Sequence, residues 1–183
     1  MNDYKEKKWY VLRDLKRANA KERAYHLLRS MNNPPLEVYT PMTRRPVTHG
    51  GRREYVEVPY ICDLLFVYEN REVLDPIVNR INTLQYRFVK GGKSNAPMVV
   101  RNQDMNSFIA VANSNEKIKY YSPEEITPAM YGRKIKIRGG SLDGMEGRLM
   151  TTRGSKVKRL VVELPGILAI AAEVCAEQIQ FIE

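Results

Sequence analysis

The chain has 183 residues, of which 43% are hydrophobic, with 30 lysines and arginines against 21 aspartates and glutamates. Length and apolar content suit one domain with attachments or two small domains, and they exclude a wholly disordered chain. The net charge of +9 favours polyanionic partners such as nucleic acid, although a basic surface without a specific partner would give the same charge.

The chain has two cysteines, and each stands alone in an apolar run. Cys62 and Cys175 form neither a disulfide framework nor a C-x-x-C metal pair, so we expect buried free thiols in a reducing compartment. The first residues lack an apolar stretch of signal-peptide length, and no segment approaches the roughly 20 apolar residues of a membrane span. We therefore expect a soluble cytoplasmic protein without membrane association.

The first half of the chain begins with a strand pattern followed by a helix pattern. Residues 9–15 predict a strand, and Asn19 and Glu22 form a capping box for the next helix. The helix has four apolar residues on one face: Ala24, Leu27, Leu28 and Met31. Three strand patterns follow at residues 36–42, in a basic hairpin arm turning near Gly50 and Gly51, and at residues 58–69.

Two further helices are predicted before residue 115. Asp75 and Pro76 suit the N-cap and first position of a short helix, which residues 86–90 follow as a strand. Asn102 then caps a helix with one apolar face, made of Met105, Phe108, Ile109 and Ala112. This order of elements predicts an α+β domain over residues 5–115.

The composition changes after residue 115. Residues 116–130 contain prolines and many polar residues without a helical stripe, which is typical of a linker. From residue 131 the pattern becomes five short β runs: RKIKI, GRLMTT, RLVVEL, ILAIAAEV and QIQFIE. These runs predict a small five-stranded barrel over residues 131–183.

No motif for phosphate binding, metal binding or catalysis is complete. GGKS at residues 91–94 lacks the earlier glycine of a phosphate loop, because Arg87 stands there. His26 and His49 have no metal-ligand spacing, and the loop around Asp143 lacks the alternating oxygen ligands of a calcium site. We therefore expect no catalytic residues, no metal, no cofactor and no enzymatic activity.

The glycine-rich stretch IKIRGGSLDGMEGRL predicts a structural corner between two strands. Ile135 and Ile137 alternate with basic residues, as in a half-buried strand. Gly140, Gly144 and Gly147 follow at positions where positive φ or close backbone approach is needed.

These residues carry a family resemblance. The KOW motif is matched by Ile135, Lys136, Ile137, Gly140, Gly144 and Gly147, and the segments WYVLR and VPYICDLLFVYE resemble the signature strands of the NusG N-terminal (NGN) domain. The order NGN, linker, KOW resembles NusG-family transcription elongation factors. The chain is more narrowly similar to specialised antitermination paralogs, RfaH and the UpxY proteins of Bacteroides capsular polysaccharide loci. The general factor commonly has P-x-F-P-x-Y-x-F in its middle strand, and this chain departs from that pattern at Ile61, Cys62 and Leu64.

The resemblance implies an NGN domain with an antiparallel sheet and three helices, joined to a five-stranded KOW barrel. It also implies a monomer that binds the clamp helices of bacterial RNA polymerase across the DNA cleft and suppresses pausing and termination. The residues implied in polymerase binding are Arg13, Ile61, Leu64 and Phe66. Because residues 58–69 are apolar on both alternating faces, one face can meet the polymerase. Helices covering both faces are the alternative.

Specialised relatives also bind the non-template DNA strand. The candidates for this contact are Lys16, Arg17, Lys21, Tyr25 and Arg80, with the cations on phosphates and Tyr25 stacked on a flipped base. A solvated helix face is the alternative for each of them. In the general factor the KOW domain recruits Rho or ribosomal protein S10, and a relative refolds this domain into a helical hairpin; the resemblance leaves both points open here. A ribosome-associated or RNA-binding KOW protein is the competing function, and an enzyme with an unrecognised pocket ranks last.

Overall fold

A computed structural model describes residues 4–16, 20–89, 96–128, 131–152 and 154–183. The chain forms two compact units, residues 1–101 and residues 102–183. The structure confirms an α+β fold with three α-helices. Over the described residues, no helix has the length and apolar character needed to cross a membrane.

The N-terminal unit is built on an antiparallel sheet. Its strands are β1 (Lys8–Asp14), β2 (Glu37–Tyr39), β5 (Leu64–Glu69), β6 (Leu84–Tyr86) and β7 (Val99–Val100), and its helices are α1 (Ala24–Arg29) and α2 (Arg71–Arg80). The sheet order is β2-β5-β1-β6, and β7 also pairs with β1. β3 (Met42–His49) and β4 (Arg52–Pro59) form a separate two-stranded hairpin. The predicted strand at residues 58–69 is therefore divided between β4 and β5.

Successive side chains of β1 and β5 point to opposite faces of the sheet, and both faces are apolar. One face carries Tyr10, Leu12, Leu65 and Val67, which pack with buried side chains of α1 and α2. We call this the helix-covered face. The register pairs Trp9 with Tyr68, Val11 with Phe66 and Arg13 with Leu64, and these side chains lie on the opposite face, which we call the second face.

The first helix begins later than the sequence predicts. α1 starts at Ala24, and the predicted N-cap Asn19 lies outside the described residues. The Ala24 N–H donates instead to Asp14 Oδ2 at the end of β1 (2.8 Å). The cap therefore comes from ten residues away, where a search for local caps does not find it.

Buried Arg23 stands directly before α1 and completes this arrangement. Its guanidinium donates to the Cys62 carbonyl (2.8 Å) and lies 4.0 Å from the Asp14 carboxylate. Both side chains of the pair are buried, so each charge is compensated mainly by the other and by hydrogen bonds.

The predicted start of the second helix at Asp75 and Pro76 is wrong. α2 begins at Arg71, where Asn70 caps it by accepting from the Val73 N–H (3.0 Å), and Pro76 lies inside the helix. Asp75 is instead the centre of a polar cluster. Its carboxylate accepts hydrogen bonds from Tyr86 Oη (2.6 Å), Tyr4 Oη (3.0 Å) and the Arg71 guanidinium (3.0 and 3.2 Å).

These hydrogen bonds set the ionisation of the cluster. Partial burial acts to raise the pKa of Asp75, but the hydrogen bonds from Tyr86, Arg71 and Tyr4 outweigh it, so this pKa lies below its usual value of 3.8. Burial, followed by the hydrogen bond to Asp75, raises the pKa of Tyr86 far above its ordinary range. The cluster joins the N-terminal segment to α2 and β6.

The C-terminal unit contains one helix and a six-stranded sheet. Its elements are α3 (Asn102–Ala112), β8 (Ile118–Tyr121), β9 (Tyr131–Ile137), β10 (Glu146–Thr151), β11 (Lys158–Leu164), β12 (Leu168–Val174) and β13 (Ile179–Phe181). All five predicted β runs form strands. The sheet order is β13-β9-β10-β11-β12-β8, so the predicted closed five-stranded barrel is not confirmed.

Two features of this unit differ from the predicted layout. α3 belongs to the C-terminal unit, where it packs on β11 and β12, and the Phe108 ring stacks with the Tyr120 ring (6.1 Å between centroids). The predicted linker, residues 116–130, contains β8, which pairs with β12. The domain boundaries 5–115 and 131–183 stay a prediction.

Candidate partner-binding surfaces

The residues implied in polymerase binding lie on or beside the second face of the N-terminal sheet. Leu64 and Phe66 are 1% and 0% exposed, so the expectation that they form an open apolar patch is wrong for this structure. Residues on both faces of β5 are buried, which a strand pattern apolar on both sides permits. The Phe66 ring lies 6.3 Å from the Tyr39 ring.

The accessible part of this predicted site is its polar rim. Arg13 keeps 47% of its side chain exposed, and its Nε donates to Asp63 Oδ2 (3.0 Å). Ile61 is half-buried. Arg13 and Ile61 are therefore the predicted polymerase contacts that a partner reaches without a rearrangement of the protein.

The described residues implied in non-template DNA binding differ in exposure. Lys21 and Arg80 are exposed, and Lys16 donates through Nζ to the Glu22 carbonyl (2.8 Å). Tyr25 is only 8% exposed and belongs to the core of the helix-covered face, so the ring predicted to stack on a base is buried. Arg17 lies outside the described residues.

The hairpin arm, β3 with β4, is largely exposed. Its turn is a two-residue loop in which Gly50 (φ 54°) and Gly51 (φ 80°) both adopt positive φ, as a type I′ turn requires. Arginine side chains on both strands are exposed, and Tyr55 keeps 66% of its surface accessible. The arm and its turn follow from the sequence pattern, which indicates no role for them.

The glycine loop between β9 and β10 has the structural role predicted for it. Ile135 and Ile137 are buried in β9, while Gly140 and Gly144 have φ of 75° and 79°. A Cβ at Gly147 would collide with the Val161 carbonyl and the Leu160 side chain. The residues of the KOW resemblance thus allow a tight turn followed by close packing of β10 on β11.

Asp143 also serves the structure of this loop. Its carboxylate accepts a hydrogen bond from the Gly139 N–H (2.6 Å), and the Gly144 N–H donates to the Ile137 carbonyl (2.9 Å). Over the described part of the chain, no group of three or more His, Cys, Asp or Glu side chains is arranged to hold a metal ion. The GGKS segment lies outside the described residues.

Basic side chains alternate with the buried isoleucines along β9. Lys136 donates to Glu146 on β10 (2.8 Å), and this hydrogen bond is the main cause that lowers the pKa of Glu146. Arg138 donates to Gln180 (2.6 Å), and the guanidinium of Arg133 lies 4.4 Å from the centroid of the Phe181 ring. The face is basic, and part of its charge is paired.

The cysteines differ from the expectation of two buried thiols. Both are free, but Cys62 is half-buried and Cys175 is exposed beside the end of β12. Cys175 also lines a shallow cavity of about 330 Å³ together with Lys156, Lys158 and Glu173.

Comparison with known proteins agrees with the N-terminal architecture. Residues 7–109, more than half of the chain, match the model of the NusG family, described as transcription termination factor nusG. Comparison with curated proteins gave no match. The matched region contains the N-terminal sheet, both of its helices, the hairpin arm and most of α3. The chain therefore belongs to the NusG family of transcription factors.

Proposed function

We propose that this protein is a cytoplasmic transcription elongation and antitermination factor that binds RNA polymerase across the DNA cleft and suppresses pausing and termination. The family match over residues 7–109 is the observation that carries the proposal. Its NGN domain binds the clamp helices of the polymerase as a monomer.

The proposed mechanism needs no catalytic step and no cofactor. A factor that spans the cleft binds the active polymerase better than the paused polymerase, whose cleft geometry differs. The pause equilibrium then shifts by the difference between the two affinities and by no more. Binding residues, and no reactive groups, are therefore the parts of the chain that matter.

Arg13 and Ile61 form the first contacts in this proposal. Arg13 on the rim of the second face pairs with Asp63, and this exposed pair can be exchanged for one with a carboxylate of the partner at small cost. Leu64 and Phe66 are buried in β5, which pairs with the strand that carries Arg13.

We further propose that the protein is a specialised paralog acting on selected operons such as polysaccharide biosynthesis loci, as RfaH and the UpxY proteins do. The departure of residues 59–66 from the general pattern supports this assignment. The C-terminal unit acts as a KOW domain, with β9 to β13 as its strands. Rho and ribosomal protein S10 are its candidate partners, and exposed Lys21 and Arg80 are candidates for contact with non-template DNA.

Binding to purified bacterial RNA polymerase tests the proposal. The full-length chain should co-elute with polymerase in size-exclusion chromatography and shorten pauses in single-round transcription. Arg13→Glu and Ile61→Asp should each weaken the complex about tenfold or more, as loss of a central interface residue commonly does. Lys5→Glu is the matched control, since Lys5 is an exposed cation of the same unit. A wild-type chain that elutes apart from polymerase and leaves pausing unchanged would refute the proposal.

A ribosome-associated or RNA-binding role is the second candidate, and the basic side chains along β9 favour it. Lys134 is exposed there, while Lys136 and Arg138 are held by polar neighbours. Cosedimentation with ribosomes, together with absence from purified polymerase, would support this role over the first.

A further inference from the structure

The hairpin arm extends from the sheet as an independent ribbon. β3 and β4 pair only with each other among the described strands, over the full register from Met42↔Pro59 to His49↔Arg52. From Arg52 to Glu57 every residue of β4 is exposed, so one strand of the arm meets solvent along most of its length. A two-stranded ribbon of this kind forms no hydrophobic core of its own, so its exposed side chains are accessible to a partner.

The arm carries more positive than negative charge. Arg44, Arg45, Arg52 and Arg53 are all exposed, and they outnumber the two acidic residues of the arm, Glu54 and Glu57. Within the described part of the chain, none of these four guanidinium groups takes part in an ion pair or hydrogen bond. Exposed cations in one short ribbon repel each other, so a polyanion that neutralises them binds with a net electrostatic gain.

One face of the arm adds an aromatic ring to this charge. The register pairs Arg44 with Glu57, Pro46 with Tyr55 and Thr48 with Arg53, which places Arg44, Tyr55 and Arg53 on the same face. We call this the tyrosine face. Arg44 and Arg53 stand four register rows apart, roughly 13 Å along the ribbon, with the ring midway between them.

We propose that the tyrosine face binds single-stranded nucleic acid, with Tyr55 stacked on a base and Arg44 and Arg53 paired with phosphates on either side. A single strand fits better than a duplex, because its unpaired bases offer a free surface for stacking. Arg53 contributes more than Arg44, since Glu57 lies opposite Arg44 on this face. The inference goes beyond the proposed function, because it requires no polymerase.

Fluorescence anisotropy with the full-length chain tests this assignment. The probes are labelled oligo(dT), labelled oligo(U) and a labelled DNA duplex of equal length. Tyr55→Ala should weaken binding of both single strands about fivefold or more, and Tyr55→Phe should retain it. Arg44→Gln with Arg53→Gln should reduce the slope of log affinity against log salt by about 1.4 for the single strands.

The matched control removes two exposed cations that lie outside every nucleic-acid contact considered for this chain, Lys5→Gln with Lys156→Gln, and should leave binding within about twofold of wild type. All of these positions are exposed, so far-UV circular dichroism should be unchanged in each variant. Three results would overturn the proposal: equal losses in the arm and control variants, unchanged affinity in Tyr55→Ala, or tighter binding of the duplex than of either single strand.

Discussion

The buried pair of Asp14 and Arg23 offers a sharp test of how the first helix is positioned. Asp14→Ala removes the acceptor of the Ala24 N–H and leaves the Arg23 guanidinium buried without its counter-charge. Loss of a helix cap costs about 1 kcal/mol. An uncompensated buried charge costs about 3 kcal/mol or more. We therefore expect Asp14→Ala to lower the free energy of unfolding of the N-terminal unit by about 3–5 kcal/mol.

Asp14→Asn separates the cap from the charge. The single amide oxygen accepts from the Ala24 N–H, so the cap is kept, and the negative charge is lost together with the hydrogen bond that Asp14 accepts from the Lys16 N–H (3.0 Å). Arg23→Met removes the positive charge. In the double variant, Asp14→Asn with Arg23→Met, neither charge of the pair stays buried. We expect the double variant to be less destabilised than the sum of its single variants by about 1–3 kcal/mol.

Urea unfolding followed by tryptophan fluorescence measures these values. The only tryptophan of the chain, Trp9, lies in β1 with Asp14, so its fluorescence reports on the N-terminal unit. Asn70→Ala, which removes the cap of α2, is the control for loss of a cap without loss of a buried charge. If Asp14→Ala costs no more than Asn70→Ala, or if the double variant equals the sum, the reasoning about the buried pair is refuted.

Three further predictions concern other parts of the fold. The lowered pKa of Asp75 stabilises the folded state above its unfolded pKa of 3.8, and this contribution is lost as pH falls through the lower folded pKa. Asp75→Asn should therefore flatten the acid-range decline in stability measured by Trp9 fluorescence; an unchanged decline would contradict this. Gly147→Ala should destabilise the C-terminal unit by about 1–3 kcal/mol in thermal unfolding, because the added Cβ would collide with β11. Gly144→Ala should cost about 1–2 kcal/mol, because alanine is strained at the positive φ of this position. A Gly147→Ala variant that melts at the wild-type temperature would disprove the collision. Phe66→Ala should cost about 3–5 kcal/mol in urea unfolding, as expected for a core residue, and a loss below about 1 kcal/mol would show that Phe66 is accessible.

Sequence patterns predicted the elements whose causes are local. The glycines at 50, 51, 140 and 144 marked the two turns correctly, because positive φ is a property of single residues. The five β runs of the C-terminal unit were visible for the same reason, since alternation and β-branched residues act within one strand.

The errors came from interactions between distant residues. Asp14 caps α1 from another element, which no local rule for Asn19 detects, and Asp75 turned from a predicted cap into the centre of a tertiary cluster. The burial of Phe66 could not be predicted either, because a strand that is apolar on both faces does not reveal which of them is covered. The sequence therefore predicted the place of the binding residues in the fold better than it predicted their exposure.

The position of β8 has a consequence for fragments of this protein. β8 pairs along β12, whose residues from Leu168 to Ala172 are all buried. A fragment that starts at residue 131 would lack this strand and leave an apolar edge with unpaired backbone groups. Such edges recruit other chains and promote aggregation. Studies of the C-terminal unit alone should therefore begin at Asn102, so that the fragment retains both the protecting strand and α3.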